Sequence, residues 1–156
     1  MPIARAGFRI AYRLAQAWWF FARPNVVGVK ALLRDDGRIL LVRHTYGNRR
    51  QWELPGGHAL PGESAELAVR REMDEELGID IEWRSIGSVA ARTDRKHERV
   101  HCFVAPRPAA PLQLALAEIA EAQWFAIDAL PSPMGDLSLR AVALVQDDRA
   151  GVDALS

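Results

Sequence analysis

The stretch from Gly57 to Ile79 constrains this chain most, because it places a dense set of acidic side chains on one predicted helix. No Gly or Pro occurs between Ser64 and Leu77. Ser64 is suited to cap the start of a helix, and Gly78 is suited to follow its last turn. The sequence therefore predicts a helix over residues 64–77.

Three glutamates share one face of that helix. Glu72, Glu75 and Glu76 stand at i, i+3 and i+4, so their Cβ atoms lie about 5–6 Å apart. Like charges at this separation repel by roughly 3–4 kcal/mol per pair at an effective dielectric near 20, which calls for a counter-ion. Arg71 can supply part of it, and a hard divalent cation can supply more. A solvated acidic face is the alternative, but the Gly-rich turn at 54–57 permits close backbone approach and favours a site.

The same stretch resembles the box of the Nudix hydrolases, G-x5-E-x7-R-E-U-x-E-E-x-G-U, where U is bulky and apolar. Every specified position is matched, by Gly57, Glu63, Arg71, Glu72, Met73, Glu75, Glu76, Gly78 and Ile79. The resemblance implies an α/β fold, an α/β/α sandwich with a mixed sheet. It also implies a hydrolase that cleaves the pyrophosphate bond of a nucleoside diphosphate linked to another moiety X.

The resemblance further implies which residues form the site. Glu72, Glu75 and Glu76, with the carbonyl of Gly57, would hold Mg²⁺, or Mn²⁺ in its place. The general base would be Glu72, Glu75 or Glu118, an acidic residue that precedes Trp124 by a few positions, with Glu121 as the second choice for that acidic residue.

Two more residues of the box are expected to position that site. Arg71 would orient the glutamates and so contribute to catalysis. Glu63 would support Arg71 in this role. Glu63, Gly57 and Gly78 would be structural residues of the box.

A polar loop over residues 43–50 precedes Trp52 and carries several arginines. Arg43, Arg49 and Arg50 could hold the phosphates of a substrate, since a guanidinium matches phosphate oxygens bidentately. Trp52 could stack on a flat group of the substrate. The alternative is a charged loop in which Trp52 only anchors the next turn.

Length and composition indicate one globular domain, since the chain has 156 residues of which 49% are hydrophobic. We expect a Nudix domain over residues 24–150, an amphipathic helical extension over 1–23 and a tail over 151–156. Basic and acidic residues balance, so no stable nucleic-acid complex is expected. The single cysteine, Cys102, indicates a reducing compartment and a cytoplasmic protein.

The first 23 residues carry arginines every four positions among aromatic side chains. On a helix this pattern gives a basic stripe beside an apolar face. The extension could dock on the domain, form a homodimer contact or bind a membrane surface.

Local patterns predict the other elements. An antiparallel hairpin is expected from 26–33 and 38–42, with Asp36-Gly37 at its turn. Further strands are expected over 81–91, with a bulge at Gly87, over 100–105, and at the sheet edge over 112–114. Residues 92–99 read as a charged connection, and Asp136 reads as the cap of a last helix.

A second class of function also fits the sequence, namely a catalytically silent Nudix-like module that senses nucleotides or binds a partner. The complete box argues against that reading. Isomerisation of a diphosphate substrate is disfavoured, because Cys102 stands alone in a strand pattern.

Overall fold

The computed structural model describes residues 25–93 and 96–153. The predicted helical extension over 1–23 therefore lies outside the described residues. Within them the chain forms strands and helices in the order β1 (Asn25–Asp35), β2 (Arg38–His44), β3 (Gly56–His58), α1 (Ala65–Leu77), β4 (Arg84–Thr93), β5 (Lys96–Pro106), β6 (Ile119–Ala126) and α2 (Asp136–Asp153).

The strands form one mixed sheet in the order β4-β5-β1-β2-β6, with the short β3 also paired to β1. The β1–β5 pair is parallel and runs from Asn25 opposite His97 to Arg34 opposite Pro106. The other strand pairs are antiparallel. The mixed sheet expected from the resemblance is confirmed.

A hydrophobic core lies on each face of the sheet, because successive side chains of β1 point to opposite sides. Leu32 packs in the core that includes Ala141 and Val142 of α2. Ala31 and Leu33 pack in the core that contains Ala68, Val69, Met73 and Leu77 of α1. One helix thus covers each face, which confirms the α/β/α layering.

The predicted β1–β2 hairpin is present, but its strands diverge after the turn. Asp36 and Gly37 take positive φ angles of 43° and 76° at that turn. Pairing between the two strands is confined to Arg34 with Ile39 and Asp35 with Arg38. Beyond this point β1 pairs with β3 and β5, while β2 pairs with β6, and the segment that carries Glu53 and β3 lies between β1 and β2.

Two predictions about connecting segments were wrong. The described part of the charged stretch over 92–99 belongs to strands, since β4 extends to Thr93 and β5 begins at Lys96, and residues 94–95 lie outside the described residues. The backbone of this hairpin is paired, so its charge does not prevent a strand. The expected edge strand over 112–114 is absent, and the third strand of that region is β6. The N–H groups of Gln113 and Ala115 instead donate to the carbonyls of Leu77 and Glu76, at 2.8 and 2.9 Å, and satisfy the end of α1.

The bulge predicted at Gly87 is confirmed, because the β4–β5 register shifts between Ser85 and Gly87. The cap of α2 differs by one residue from the prediction. The carbonyl of Gly135 accepts the first helical bond from the Leu139 N–H at 2.9 Å, so Asp136 lies in the first turn. The helix also continues past position 151 to Asp153. None of the described helices is both long and apolar enough to span a membrane.

Candidate active site

Helix α1 has the caps that the sequence predicts. The Ser64 side chain accepts a hydrogen bond from the Leu67 N–H at 3.2 Å, and Gly78 takes the left-handed conformation with φ 66°. Its apolar residues pack on the sheet and so fix the rotation of the helix. Glu72 and Glu76 are consequently buried, with relative exposures of 5% and 1%.

Arg71 lies at the centre of the charged network beside α1. Its Nε and Nη2 donate to the two carboxylate oxygens of Glu63 at 2.8 and 2.9 Å. Its Nη1 donates to Glu72 Oε1 at 2.8 Å and lies 3.6 Å from Glu75 Oε2. Nη2 also donates to the carbonyl of His58 at 3.0 Å. One guanidinium therefore joins the helix, the preceding loop and β3.

The charges in this network reinforce one another. Burial alone would lower the pKa of Arg71, but hydrogen bonds and ion pairs with Glu63 and Glu72 raise that pKa above its usual value. Burial would raise the pKa of Glu63, but hydrogen bonds from Arg71 and from the Leu60 N–H hold that pKa below its usual value. Arg71 stays charged and Glu63 stays ionised over the physiological range.

Two adjacent glycines of β3 bring the backbone against this network. A Cβ at Gly57 would lie 2.3 Å from Cδ of Glu72, and a Cβ at Gly56 would lie 2.0 Å from the carbonyl oxygen of Val29. At Gly56 the obstacle is backbone, so no side chain fits there, whereas at Gly57 the obstacle is the Glu72 side chain, which can move. The turn that precedes α1 therefore needs glycine for a steric reason that local sequence patterns only suggest.

Glu75 and Glu118 are the remaining acidic residues predicted for the site. Glu75 lies on the same helix face, with its side chain 20% exposed. Glu118 lies just before β6, where its carbonyl accepts a hydrogen bond from the Thr45 N–H at 2.8 Å. The same turn reaches α1 through the bond from the Ala115 N–H to the carbonyl of Glu76. The structure thus brings the Glu118 turn to the end of α1.

The donor set fits a hard divalent cation. Glu72, Glu75 and Glu76 lie on successive turns of α1, the Glu72 carboxylate lies beside Gly57, and oxygen is the ligand type that Mg²⁺ prefers. Within residues 25–93 and 96–153, however, no three His, Cys, Asp or Glu side chains are already gathered as a metal site. Arg71 holds Glu72 and contacts Glu75, so these carboxylates would have to turn partly from the guanidinium to take up an ion.

The predicted substrate contacts divide into two groups. Trp52 is only 9% exposed, and its ring meets Phe125 edge to face at 4.8 Å between centroids. Arg43 lies over the Trp52 ring at 4.9 Å and forms an ion pair with Glu121. Packing therefore supports Trp52 as an anchor. Arg49 and Arg50 are exposed in the loop.

A cavity on the other side of β3 contains residues that sequence reasoning missed. It encloses about 280 Å³ and is lined by Lys30, His44, Tyr46, Glu53, His58 and Glu98, among others. Lys30 and Glu53 form an ion pair of 3.3 Å, and His58 lies 3.1 Å from Glu98. One feature of the sequence could have indicated these residues, namely the lysine, Lys30, within the apolar run of β1.

Comparisons with known proteins agree with this geometry. The NUDIX domain family matches residues 22–145. A MutT-like protein of Streptomyces ambofaciens is 30% identical over 113 residues, which cover 72% of this chain and 70% of that protein. The NAD-capped RNA hydrolase NudC of Vibrio atlanticus is 29% identical over 119 residues, covering 74% of this chain but only 44% of that protein.

Among solved structures, the MutT NUDIX hydrolase from Burkholderia pseudomallei superposes with a TM-score of 0.72 at 30% identity. The match covers 79% of this chain and 99% of that one. The fold, the complete box from Gly57 to Ile79 and the family match agree, and the chain belongs to the Nudix hydrolase family.

Proposed function

We propose that this protein is a Mg²⁺-dependent hydrolase that cleaves the pyrophosphate bond of a nucleoside diphosphate linked to a moiety X. The observation that carries the proposal is the burial of Glu72 and Glu76 on one face of α1, with Glu72 lying against Gly57 of β3. Buried carboxylates are unfavourable unless they are paired or bind a metal. The name of one relative, an NAD-capped RNA hydrolase, supports a nucleotide as part of the substrate.

Glu72, Glu75 and Glu76, with the carbonyl of Gly57, are the proposed ligands of the ion. When bound, Mg²⁺ or Mn²⁺ would neutralise charge on the phosphates and lower the pKa of a coordinated water. Glu76 is only 1% exposed, so solvent screens its charge poorly and a bound cation would interact with it strongly.

Arg71 is proposed as a positioning residue. Its fork holds Glu63 and Glu72 at 2.8 to 2.9 Å, so it fixes where the Glu72 carboxylate can move. Glu63 in turn is fixed by the Leu60 N–H at 2.8 Å. This arrangement limits the reorganisation needed when an ion and a substrate arrive.

Glu72, Glu75 or Glu118 would accept the proton of the attacking water. Each lies on α1 or on the turn that is hydrogen-bonded to its end. Arg49 and Arg50 are proposed to contact the phosphates, since they are exposed in the loop that also carries Tyr46 of the cavity wall. Phosphoryl transfer depends mainly on such positioning and charge neutralisation.

The test is the substitution Glu76→Gln, with Glu66→Gln on the exposed side of α1 as the matched control. Purified protein is incubated with Mg²⁺ or Mn²⁺ and a panel of nucleoside triphosphates and diphosphate-linked nucleotides, and the formation of nucleoside monophosphate is measured. We expect Glu76→Gln to lower turnover by at least about 100-fold, an effect of the size seen on losing one charge-stabilising group. Glu66→Gln should behave like the wild type, and circular dichroism should be unchanged in both.

A second readout does not depend on turnover. Calorimetric titration with Mn²⁺ should show uptake by the wild type and by Glu66→Gln, and much weaker uptake by Glu76→Gln. Equal activity in the two variants would remove the assignment of Glu76. Tight nucleotide binding without turnover across the whole panel would favour the silent module instead.

A further inference from the structure

The cavity beyond β3 shares a wall with the acidic site. Gly57 lines it, although the Cβ direction of that residue faces Glu72. A ligand bound in the cavity would therefore lie one strand away from the glutamates of α1. The volume of about 280 Å³ falls just below the range of roughly 300–1,000 Å³ that is usual for ligand pockets. It suits one ring system better than a dinucleotide.

A charged pair on the cavity wall has hydrogen-bonding capacity left over. Nζ of Lys30 donates to Glu53 Oε2 at 3.3 Å and to the carbonyl of Leu54 at 3.2 Å. An ammonium group has three N–H bonds, so one remains for a ligand. In the part of the chain that the structure describes, no group donates a hydrogen bond to the other carboxylate oxygen, Oε1 of Glu53. A donor and an acceptor therefore stand side by side.

The surroundings hold this pair in place. The Lys30 side chain is 15% exposed and that of Glu53 is 32% exposed, so both are partly shielded from water. The Glu53 backbone is fixed by two hydrogen bonds with Val42, at 2.8 and 2.9 Å. A Cβ at Gly135 would lie 2.9 Å from Glu53 Oε1, so the loop before α2 bounds that oxygen from one side.

The order of donor and acceptor distinguishes the nucleobases. Guanine presents its O6 acceptor next to the N1–H and N2 amino donors, which matches an ammonium beside a carboxylate. Hypoxanthine keeps the first two groups and lacks the amino group. Adenine presents an amino donor and then an acceptor, so its edge would meet Lys30 and Glu53 with both polarities reversed. Uracil would place a second acceptor against the carboxylate.

We infer that Lys30 and Glu53 form a base-recognition site that selects substrates carrying guanine. The inference rests on the proposed function, because it treats the cavity and the acidic site as two parts of one substrate site. Lys30 donates to O6, and Glu53 accepts from N1–H and the amino group. His44 and Tyr46, whose ring centroids lie 5.0 Å apart, border the same cavity and supply flat surfaces for the base.

The experiment compares bases within one protein. kcat/KM is measured for GTP, ITP and ATP with Mg²⁺, and dissociation constants for GDP and ADP are measured by calorimetry without metal. The wild type should prefer GTP to ATP by roughly 10- to 100-fold, as expected for one bidentate base contact, with ITP between them. GDP should bind more tightly than ADP by a similar factor.

Two variants test the residues. Glu53→Gln should reduce the ratio of GTP to ATP to within about 3-fold, because the amide offers one acceptor and one donor instead of two acceptor oxygens. The double variant Lys30→Met, Glu53→Leu removes both charges together, which avoids leaving one charge unpaired, and should abolish the preference. Glu82→Gln, with a side chain 94% exposed, is the control. Using a ratio within each variant cancels any general loss of folded protein.

The outcomes separate this inference from the proposed function. Turnover without base preference, or with a preference that Glu53→Gln leaves intact, overturns the inference and keeps the hydrolase. Preferential binding of GDP without turnover of any nucleotide keeps the recognition site and overturns the hydrolase. Failure of the wild type to bind GDP more tightly than ADP, together with equal turnover, overturns the assignment of the cavity.

Discussion

The two sides of β3 differ in how their charges are arranged. On the side facing α1, Arg71 is shared among Glu63, Glu72 and Glu75, and the side chains of the first two are only 13% and 7% exposed. On the cavity side, Lys30 meets Glu53, whose side chain is 32% exposed. The first arrangement is closed and mutually dependent, whereas the second retains hydrogen-bonding capacity.

This difference matches two tasks. A site that must take up a small ion and hold its ligands in register gains from a network in which one cation fixes several carboxylates. A site that selects among flat organic groups gains from a donor and an acceptor that are fixed in position and can still form hydrogen bonds with a ligand. The predictions below test whether the two sides behave as differently as their contacts indicate.

The largest contrast should come from replacing the central cation on each side by methionine. Arg71→Met leaves Glu63 and Glu72 without their cation in a shielded place, and we expect it to lower the free energy of unfolding by about 3–5 kcal/mol. Lys30→Met leaves a more exposed carboxylate, and about 1 kcal/mol is expected. Urea denaturation at neutral pH measures both. Equal losses would show that the two sides are energetically alike.

If Arg71→Met does not accumulate as folded protein, Arg71→Lys supplies the same comparison. Lysine retains the charge but not the planar fork that contacts two carboxylates and the His58 carbonyl. The free energy of unfolding of Arg71→Lys should therefore be lower than that of the wild type. A variant as stable as the wild type would contradict the role given to the fork.

The next contrast uses the adjacent glycines of β3. Gly56→Ala would place its Cβ 2.0 Å from a backbone oxygen of Val29, so the strand pairing must shift, with a stability loss of about 1–3 kcal/mol or more. Gly57→Ala would meet the Glu72 side chain, which can move. We expect Gly57→Ala to fold and to lose turnover by about 100-fold, since a displacement near 1 Å can have that effect. Thermal unfolding and the formation of nucleoside monophosphate, measured on both variants, separate the two effects.

The acidic side could be predicted from sequence because its information is local. The caps Ser64 and Gly78 lie at either end of one segment, and Glu72 and Glu76 lie one turn apart. Helix geometry then fixes the relative positions of the two glutamate side chains, independently of the rest of the fold. The proximity of Glu72 to Gly57 of β3 was indicated only by the two glycines.

The cavity could not be predicted in this way, because four strands and the loops between them build its wall. Lys30 and Glu98 come together through the parallel pairing of β1 with β5, which joins residues about seventy positions apart and leaves no local signal.

The segment over 112–114 shows a related limit. Leu112 and Leu114 do pack on a core, as alternation predicts, but the N–H of Gln113 bonds the end of α1 instead of a strand.

A smaller effect tests how much of the acidic side depends on the start of α1. Ser64→Ala removes the side-chain acceptor for the Leu67 N–H and should lower the free energy of unfolding by about 1 kcal/mol. Ser85→Ala, at an exposed position of β4, should change it by less than about 0.5 kcal/mol. Chemical denaturation of the pair gives the difference. A Ser64→Ala loss as large as that of Arg71→Met would make the cap, and not the guanidinium, the main support of the acidic side.

The pH dependence of stability provides the finest test of the closed network. Arg71 and the Leu60 N–H hold the pKa of Glu63 below its ordinary value of 4.5, so the unfolded chain takes up a proton at this residue before the folded protein does. Glu63 therefore adds stability above pH 4.5, and that contribution is lost as the pH falls through the lower folded pKa.

Glu63→Gln cannot titrate, so the gap in free energy of unfolding between wild type and variant should be widest near neutral pH and should shrink in acid. Urea denaturation from pH 7 down to about pH 3.5, a range that brackets the ordinary carboxyl pKa, measures the gap, with Glu66→Gln on the exposed face of α1 as the control. A gap that stays constant through this range would mean that the ion pair with Arg71 contributes nothing to the stability of the acidic side, because protonation of the carboxylate would then leave the folded protein unaffected.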